Sequence, residues 1–370
     1  MLVASPPPAP EPNVPRLLQA LKALLDRRVV LMEVCGTHTV SLFRSGLRSL
    51  LPEEITLLSG PGCPVCVTAQ GEIDAAIGLA ESGCLVLTYG DMARVPGSHG
   101  SLAGLGKGVQ VVTSAAQSLA IARRNPGRDV VFLGVGFETT APATASTIMR
   151  AYAEGEGNLS VLCLHKTVPP VLRHLCMNPE LKLDGFMLPG NVAVVTGEGC
   201  YGFLASEFSK AAAVAGFEPE EMLSAIIDLV RQVHDGPRLS SYRRRDVPRE
   251  GNASALRAMS EVFEPCDAEW RGLGVIPMSG LAIREKYSGL DAAKRFGLAV
   301  KGEPEDCGCG CGCGKVLSGL MTPPECGMYG TVCTPETPVG PCMVSSEGTC
   351  GTWYRWSSLG TAAAGASPGR

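Results

Sequence analysis

Met32-Glu33-Val34-Cys35-Gly36-Thr37-His38-Thr39 is the stretch whose reading decides the fold. An apolar run, Val29-Val30-Leu31, leads into it and reads as a buried strand. Val40, Leu42, Phe43 and Leu47 follow at a spacing that suits one face of a helix. Cys35 and His38 therefore sit on the turn where a strand ends and a helix begins. Open α/β sheets place ligand sites at such turns, and backbone N–H groups with the helix dipole are expected to lower a thiol's pKa there. A soft thiolate beside an imidazole suits a transition metal, or a nucleophile with its base. The plainer alternative is a buried cysteine and a hydrogen-bonded core histidine.

Working outward, strand–helix alternation recurs. Arg16 to Arg28 reads as an amphipathic helix. Strands are expected at Ile55–Leu58, Cys84–Thr88 and Val109–Val112, with helices near Gly71–Ser82 and Ala115–Arg124. Asn125-Pro126-Gly127 breaks the chain and reads as a domain boundary. The alternation restarts with strands Asp129–Gly136, Leu159–Leu164 and Gly185–Leu188. Such a pattern implies parallel sheets with right-handed crossovers. The fold class is thus α/β: two parallel-sheet lobes, 16–125 and 126–216, around a cleft where strand C-terminal ends face one another. From residue 217 the texture changes to long helices, Glu218–Val233 and Asn252–Phe263, and a Gly-punctuated segment, Trp270–Pro277. The third region, 217–360, ends in a stretch rich in Cys, Gly and Pro. It cannot bury enough apolar surface alone and needs a staple such as a metal centre. Residues 1–15 and 361–370 read as disordered tails.

The totals narrow the function. The chain has 370 residues, too many for one compact domain, and 45% are apolar. A net charge of −4 leaves no electrostatic footprint for nucleic acid. Arg243-Arg244-Arg245, the one dense basic cluster, reads as a solvated turn. No apolar run approaches the ~18 residues needed to span a bilayer, and no signal peptide is recognisable. Sixteen cysteines in so long a chain fall short of a disulfide scaffold. The expected compartment is a reducing cytoplasm, where grouped cysteines mean metal or redox chemistry.

Cys63-Pro64-Val65-Cys66 lies after a strand and before a helix, preceded by Gly60-Pro61-Gly62. The second thiol of such a pair can attack a mixed disulfide formed by the first, so the motif can cycle between dithiol and disulfide; half of a zinc site is the alternative. Further cysteines fall at 307, 309, 311, 313, 326, 333, 342 and 350. Four thiolates hold a cubane iron–sulfur cluster. Cys313, Cys326, Cys333 and Cys350 are one choice whose loops permit convergence, though choices including Cys342 do as well, and a structural zinc competes. Cys307, Cys309 and Cys311, alternating with glycine, read as an oxidisable loop. Gly134-Val135-Gly136-Phe137-Glu138-Thr139-Thr140 lacks the third glycine of a dinucleotide fingerprint. Its Gly-x-Gly permits close approach of a partner's chain or the other lobe, and Glu138, near a helix N-terminus, reads equally as a stabilised carboxylate or a plain capping residue. Asp91 and Arg94 are expected to pair. His165 ends a strand.

Taken together, Cys35-Gly36-Thr37-His38-Thr39, Gly60 to Cys66, Gly90-Asp91 through Arg94-Val95-Pro96-Gly97, Gly136 to Thr140, Glu269-Trp270-Arg271-Gly272-Leu273-Gly274 and Met343-Val344-Ser345-Ser346-Glu347-Gly348 resemble the signatures of the hydrogenase maturation factor HypD family, over residues 16–356. The resemblance implies a scaffold, rather than a conventional turnover enzyme, on which the Fe(CN)2CO unit of [NiFe]-hydrogenase is assembled. A HypC-type chaperone would bind alongside, a HypE-type protein would deliver cyanide, and the hydrogenase large subunit would be a transient partner. Cys35, with His38 beside it, would ligate the iron. Cys63 and Cys66 would be the redox pair, and Cys313, Cys326, Cys333 and Cys350 would hold a [4Fe-4S] cluster. Asn191 stands where some relatives have His. A cluster-fed thiol–disulfide oxidoreductase and a zinc-stapled interaction module are the competing functions.

Overall fold

The computed structural model describes residues 13–241, 248–298 and 310–365, with side-chain burial described up to residue 357. The first twelve residues, the Arg243-Arg244-Arg245 cluster, Cys307, Cys309 and residues 366–370 lie outside the described residues.

Eleven strands are present among the described residues: β1 (Val29–Glu33), β2 (Ile55–Ser59), β3 (Leu85–Thr88), β4 (Val109–Val111), β5 (Val130–Gly136), β6 (Leu159–His165), β7 (Gly185–Pro189), β8 (Ala211–Ala215), β9 (Leu239–Ser241), β10 (Phe263–Trp270) and β11 (Gly274–Ile283). Two parallel sheets result, a five-stranded one ordered β2-β1-β7-β8-β9 and a four-stranded one ordered β4-β3-β5-β6. β5, β7 and β8 are buried along their whole length, as strands covered on both faces must be.

The division expected at residues 125 and 126 does not follow the sheets. Asn125-Pro126-Gly127 joins the helix Ala116–Arg124 to β5, and both pack in the four-stranded sheet. The chain instead changes sheets after β2 and again after β6. The first lobe is thus built from two separated stretches of chain, and the second is inserted between them. The region after residue 217 is not independent either. Helix Pro219–Asp235 packs with Val14–Leu24 on one face of the five-stranded sheet, through Met222, Ile226 and Leu229 against Leu21 and Leu31. The β10–β11 hairpin packs Phe263, Leu281 and Ile283 on the four-stranded sheet.

The tails are shorter than their composition suggests. Val14–Leu24 is helical, with Pro15 in its first turn, where the missing N–H costs nothing. Thr349–Gly365 is one helix, which carries order into the segment expected to be a tail. Trp353 anchors it edge-on to Phe43, with the Arg48 guanidinium over its ring. Among the described residues no helix is long and apolar enough to cross a membrane.

Candidate metal and thiol centre

Strand ends from both sheets open onto one cleft of about 330 Å³. β1 contributes Val34 and Cys35, and β2 contributes Gly62, Pro64 and Val65. β5 contributes Phe137 and Thr139, and β7 contributes Asn191 and Val192, with Tyr89 and Glu347 at the edge. This is the crevice expected where parallel strands end.

Cys35 is the N-cap of helix Gly36–Arg44 and is 6% exposed. The buried carboxylate of Glu33 accepts from its backbone N–H at 3.1 Å and from the Thr39 hydroxyl. The expected lowering of its thiol pKa does not occur. Burial pushes the thiol up to about 12, and the carboxylates of Glu347 and Glu33 add to this. The His38 and Thr37 N–H groups oppose the shift only in part. One helix end is too weak to offset desolvation of a thiolate.

His38 lies on the same turn as Cys35 but does not line the cleft. It is fully buried, with Nε2 at 2.9 Å from the Gly216 carbonyl and its ring 4.8 Å from that of Phe217. Burial lowers its pKa to about 4. The ring is therefore neutral, and since a carbonyl only accepts, Nε2 carries the proton. His38 pins the helix carrying Cys35 to the end of β8.

The loop before Cys63 touches the Cys35 turn directly. Gly36 N–H donates to the Gly62 carbonyl at 3.1 Å, and a Cβ on Gly62 would fall 2.2 Å from the Cys35 nitrogen. Cys63 caps the short turn Pro64–Val67, and its Sγ accepts from the Cys66 N–H at 3.3 Å. Both thiols sit behind the cleft wall, Cys63 at 4% and Cys66 at 0% exposure. The β10–β11 turn clamps this loop. Arg271 N–H donates to the Val67 carbonyl at 3.0 Å, and its guanidinium reaches the Thr68 carbonyl and the Gln70 side chain. Trp270 stacks on Phe137, with centroids 5.9 Å apart. Helix Gln70–Glu81 follows, and its Glu72 is held by buried Lys166 at 2.9 and 3.0 Å.

Every cysteine among the described residues is free. The carboxy-terminal thiols fall into two groups. Cys66 hydrogen-bonds Cys342, and Cys342 lies 3.2 Å from Cys313. Cys313 in turn contacts Cys311. The Cys350 thiol is raised by burial and then by the sulfurs of Cys311, Cys333 and Cys326. Cys313 thus lies beside Cys342, one of the partners the spacing had left open, while Cys311 and Cys342 both interact with Cys350 and join the two groups. Val339 N–H points at the Cys333 sulfur at 3.4 Å. Among the described residues no three His, Cys, Asp or Glu side chains converge tightly enough for one ion.

Other expectations resolve locally. Gly136, at φ +152°, admits the Thr140 hydroxyl of its own chain, since a Cβ would fall 1.7 Å from that oxygen. Glu138 is not a helix-stabilised carboxylate. It is buried, accepts from Val168 N–H at 2.9 Å, and burial pushes it up to about 7. His165 is a core residue at 2.9 Å from the Thr144 hydroxyl. Asp91 and Arg94 do pair, at 3.1 Å. Two residues at the site were quoted in the sequence without a role. Glu347 accepts from the Thr37 hydroxyl at 2.7 Å and packs its Cβ on Gly36, and Cys342 bridges Cys66 to Cys313. Their signal was the Met343–Gly348 motif beside them.

Comparison with known proteins agrees with this arrangement. A family model for HypD, described as "Hydrogenase formation hypA family", matches residues 13–357. The chain is 42% identical over 356 residues to the hydrogenase maturation factor HypD of Rhodobacter capsulatus, covering 93% of each chain. It is 44% identical over 347 residues to that of Cupriavidus necator, covering 89% of this chain and 90% of the other. With Escherichia coli HypD the identity is 42% over 343 residues, 90% of each.

Proposed function

Because this chain belongs to the HypD family of hydrogenase maturation factors, we propose that it serves hydrogenase maturation as a redox-active assembly scaffold rather than a conventional turnover enzyme. Its cargo is the Fe(CN)2CO unit of a [NiFe]-hydrogenase, built in a reducing cytoplasm. Cys35 grips the iron together with a HypC-type chaperone, a HypE-type protein delivers cyanide, and the hydrogenase large subunit receives the product. One observation carries this reading: a cysteine stands in the cleft where the strand ends of both sheets meet, with a line of thiols behind it.

Low-spin iron carrying cyanide and carbon monoxide is electron-rich, and a thiolate is a suitable soft ligand for it. Cys35 is held as a thiol by burial and sheds its proton when metal binds. The N–H groups of Thr37 and His38 then face the negative sulfur. Closure of Cys63 and Cys66 to a disulfide releases two electrons and two protons. Cleaving cyanide from a sulfur carrier takes both electrons and one proton for the carrier thiol, as cyanide passes to iron as the anion, and the second proton leaves to solvent. Cys326, Cys333 and Cys350, with Cys313 as the fourth, are the residues that would hold a [4Fe-4S] cluster, which when bound supplies one-electron transfer. Cys342 continues the sulfur line between it and Cys66.

The test is anaerobic purification with a HypC-type partner, followed by infrared spectroscopy and iron and sulfide analysis. Cyanide and carbonyl bands are expected and should vanish in Cys35→Ala. Labile sulfide should vanish in Cys326→Ala and in Cys350→Ala. Bands that survive Cys35→Ala would refute the assignment. The continuous thiol line also favours a second reading, a thiol–disulfide oxidoreductase. That activity would turn over a protein disulfide, survive Cys35→Ala and fail in Cys63→Ser.

A further inference from the structure

Two segments singled out in the sequence, Gly90 to Gly97 and Met343 to Gly348, neither grip the iron nor hold the cluster, yet they are clasped together over Cys63. The Cys63 S–H donates to the Ser345 hydroxyl at 3.3 Å, and the Ser345 O–H donates to Asp91 Oδ2 at 3.5 Å. Asp91 is fixed from both sides. Ser346 donates to it through its N–H and its hydroxyl, each at 2.8 Å, and Arg94 reaches it at 3.1 Å. Arg94 also donates to the Val344 carbonyl. The Asp91 side chain is 28% exposed, whereas Cys63 is only 4% exposed. Every donor in this line points outward, from a buried thiol to a carboxylate in contact with water.

We propose that Ser345 and Asp91 are positioning residues that form a proton exit for the Cys63 thiol. The inference rests on Cys63 and Cys66 reacting as a thiol pair. As Cys63 ionises, its proton passes to the Ser345 oxygen, the Ser345 proton passes to Asp91, and Asp91 releases it to solvent. The reversed Ser345 O–H then donates to the thiolate, a charge-assisted bond. Cys66 is fully buried and hydrogen-bonds Cys342 and Cys63, so it reaches this line only through Cys63. The charged and titratable groups around the line are Cys66 on the same turn, Asp91 and Arg94 after β3, and Glu347 two residues beyond Ser345.

The test measures alkylation of Cys63 by iodoacetamide in the reduced, anaerobic full-length chain, read peptide by peptide by mass spectrometry. The thiolate sulfur bonds to carbon and iodide leaves, so the rate reports ionisation without any hydrogenase readout. Near pH 7.5, Ser345→Ala and Asp91→Asn are each expected to slow Cys63 about tenfold, the size of a lost hydrogen bond to a charged group. Near pH 10, where hydroxide removes the proton directly, the slowing should disappear, and Ser345→Thr should restore the rate at both pH values. Equal slowing at both pH values, an unchanged rate in Asp91→Asn, or equal slowing of Cys35 would overturn the proposal. Loss of the infrared bands in wild-type protein would instead bear on the scaffold function alone.

Discussion

Acidification should discriminate a histidine that holds the fold from one that serves Cys35 as a base. His38 is charged with difficulty in the folded chain, because burial lowers its pKa to about 4 from an ordinary 6.5. Between these values the unfolded chain binds a proton that the folded chain refuses, so stability falls as pH drops through 6.5 and levels off only near 4. At about 1.4 kcal/mol per pH unit the full loss is about 3 kcal/mol. His38→Gln keeps a donor for the Gly216 carbonyl but loses the ring contact with Phe217. At pH 7.5 it should therefore be less stable than wild type by about 1–2 kcal/mol. Because glutamine does not titrate, wild type should lose its advantage on acidification, and the two urea-unfolding stabilities should cross between pH 6.5 and 4. His165 contributes a second drop of the same sign, unchanged in the variant. A constant gap at every pH would refute the argument. So would a variant of normal stability whose Cys35 alkylation alone collapses, which would make His38 the base.

Other perturbations act on contacts that shape the cleft. Gly62→Ala drives a Cβ to 2.2 Å from the Cys35 nitrogen, with backbone rather than a flexible side chain in the way. It should cost about 1–3 kcal/mol in urea midpoints and cut iron occupancy at Cys35. Glu72→Gln strands the buried Lys166 ammonium and should destabilise by about 3–5 kcal/mol, while Glu72→Leu with Lys166→Met should recover most of it in the same assay. Glu138→Gln should gain on wild type as pH rises through 7, because wild type must then either bury a carboxylate or unfold. Its raised pKa gives stability that is complete below 4.5 and lost above about 7.

Much of this arrangement was legible before any coordinates. Val29–Leu31 and Asp129–Gly136 are apolar runs bounded by turn residues, and both are central parallel strands. The cleft followed from strand ends carrying Cys35, Cys63 and Phe137. Partnership between strands was not legible, because the central parallel strands are buried on both faces and carry no mark of their neighbours. That is why Asn125-Pro126-Gly127 read as a border between lobes rather than a turn within one. β8 is Ala211-Ala212-Ala213-Val214-Ala215, mostly alanine with little strand preference of its own, held by its ladders to β7 and β9 and by close packing. The contact of Cys313 with Cys342 was likewise hidden, since loops of glycine and proline reach any of these partners. The thiol pKa of Cys35 was misjudged because helix-end effects can be counted from sequence, whereas depth of burial cannot.

Glu347 against Gly36, Arg94 on the Val344 carbonyl and Trp353 against Phe43 have a consequence for synthesis. Both sheets are complete once the ribosome has made β9, but one rim of the cleft comes from residues translated about a hundred positions later. A nascent chain can thus be largely folded and still offer no finished seat for a guest atom. Loading before the helix Thr349–Gly365 has emerged would meet an open, water-filled gap, so emergence of that helix from the ribosome sets the earliest moment at which the vessel can be filled.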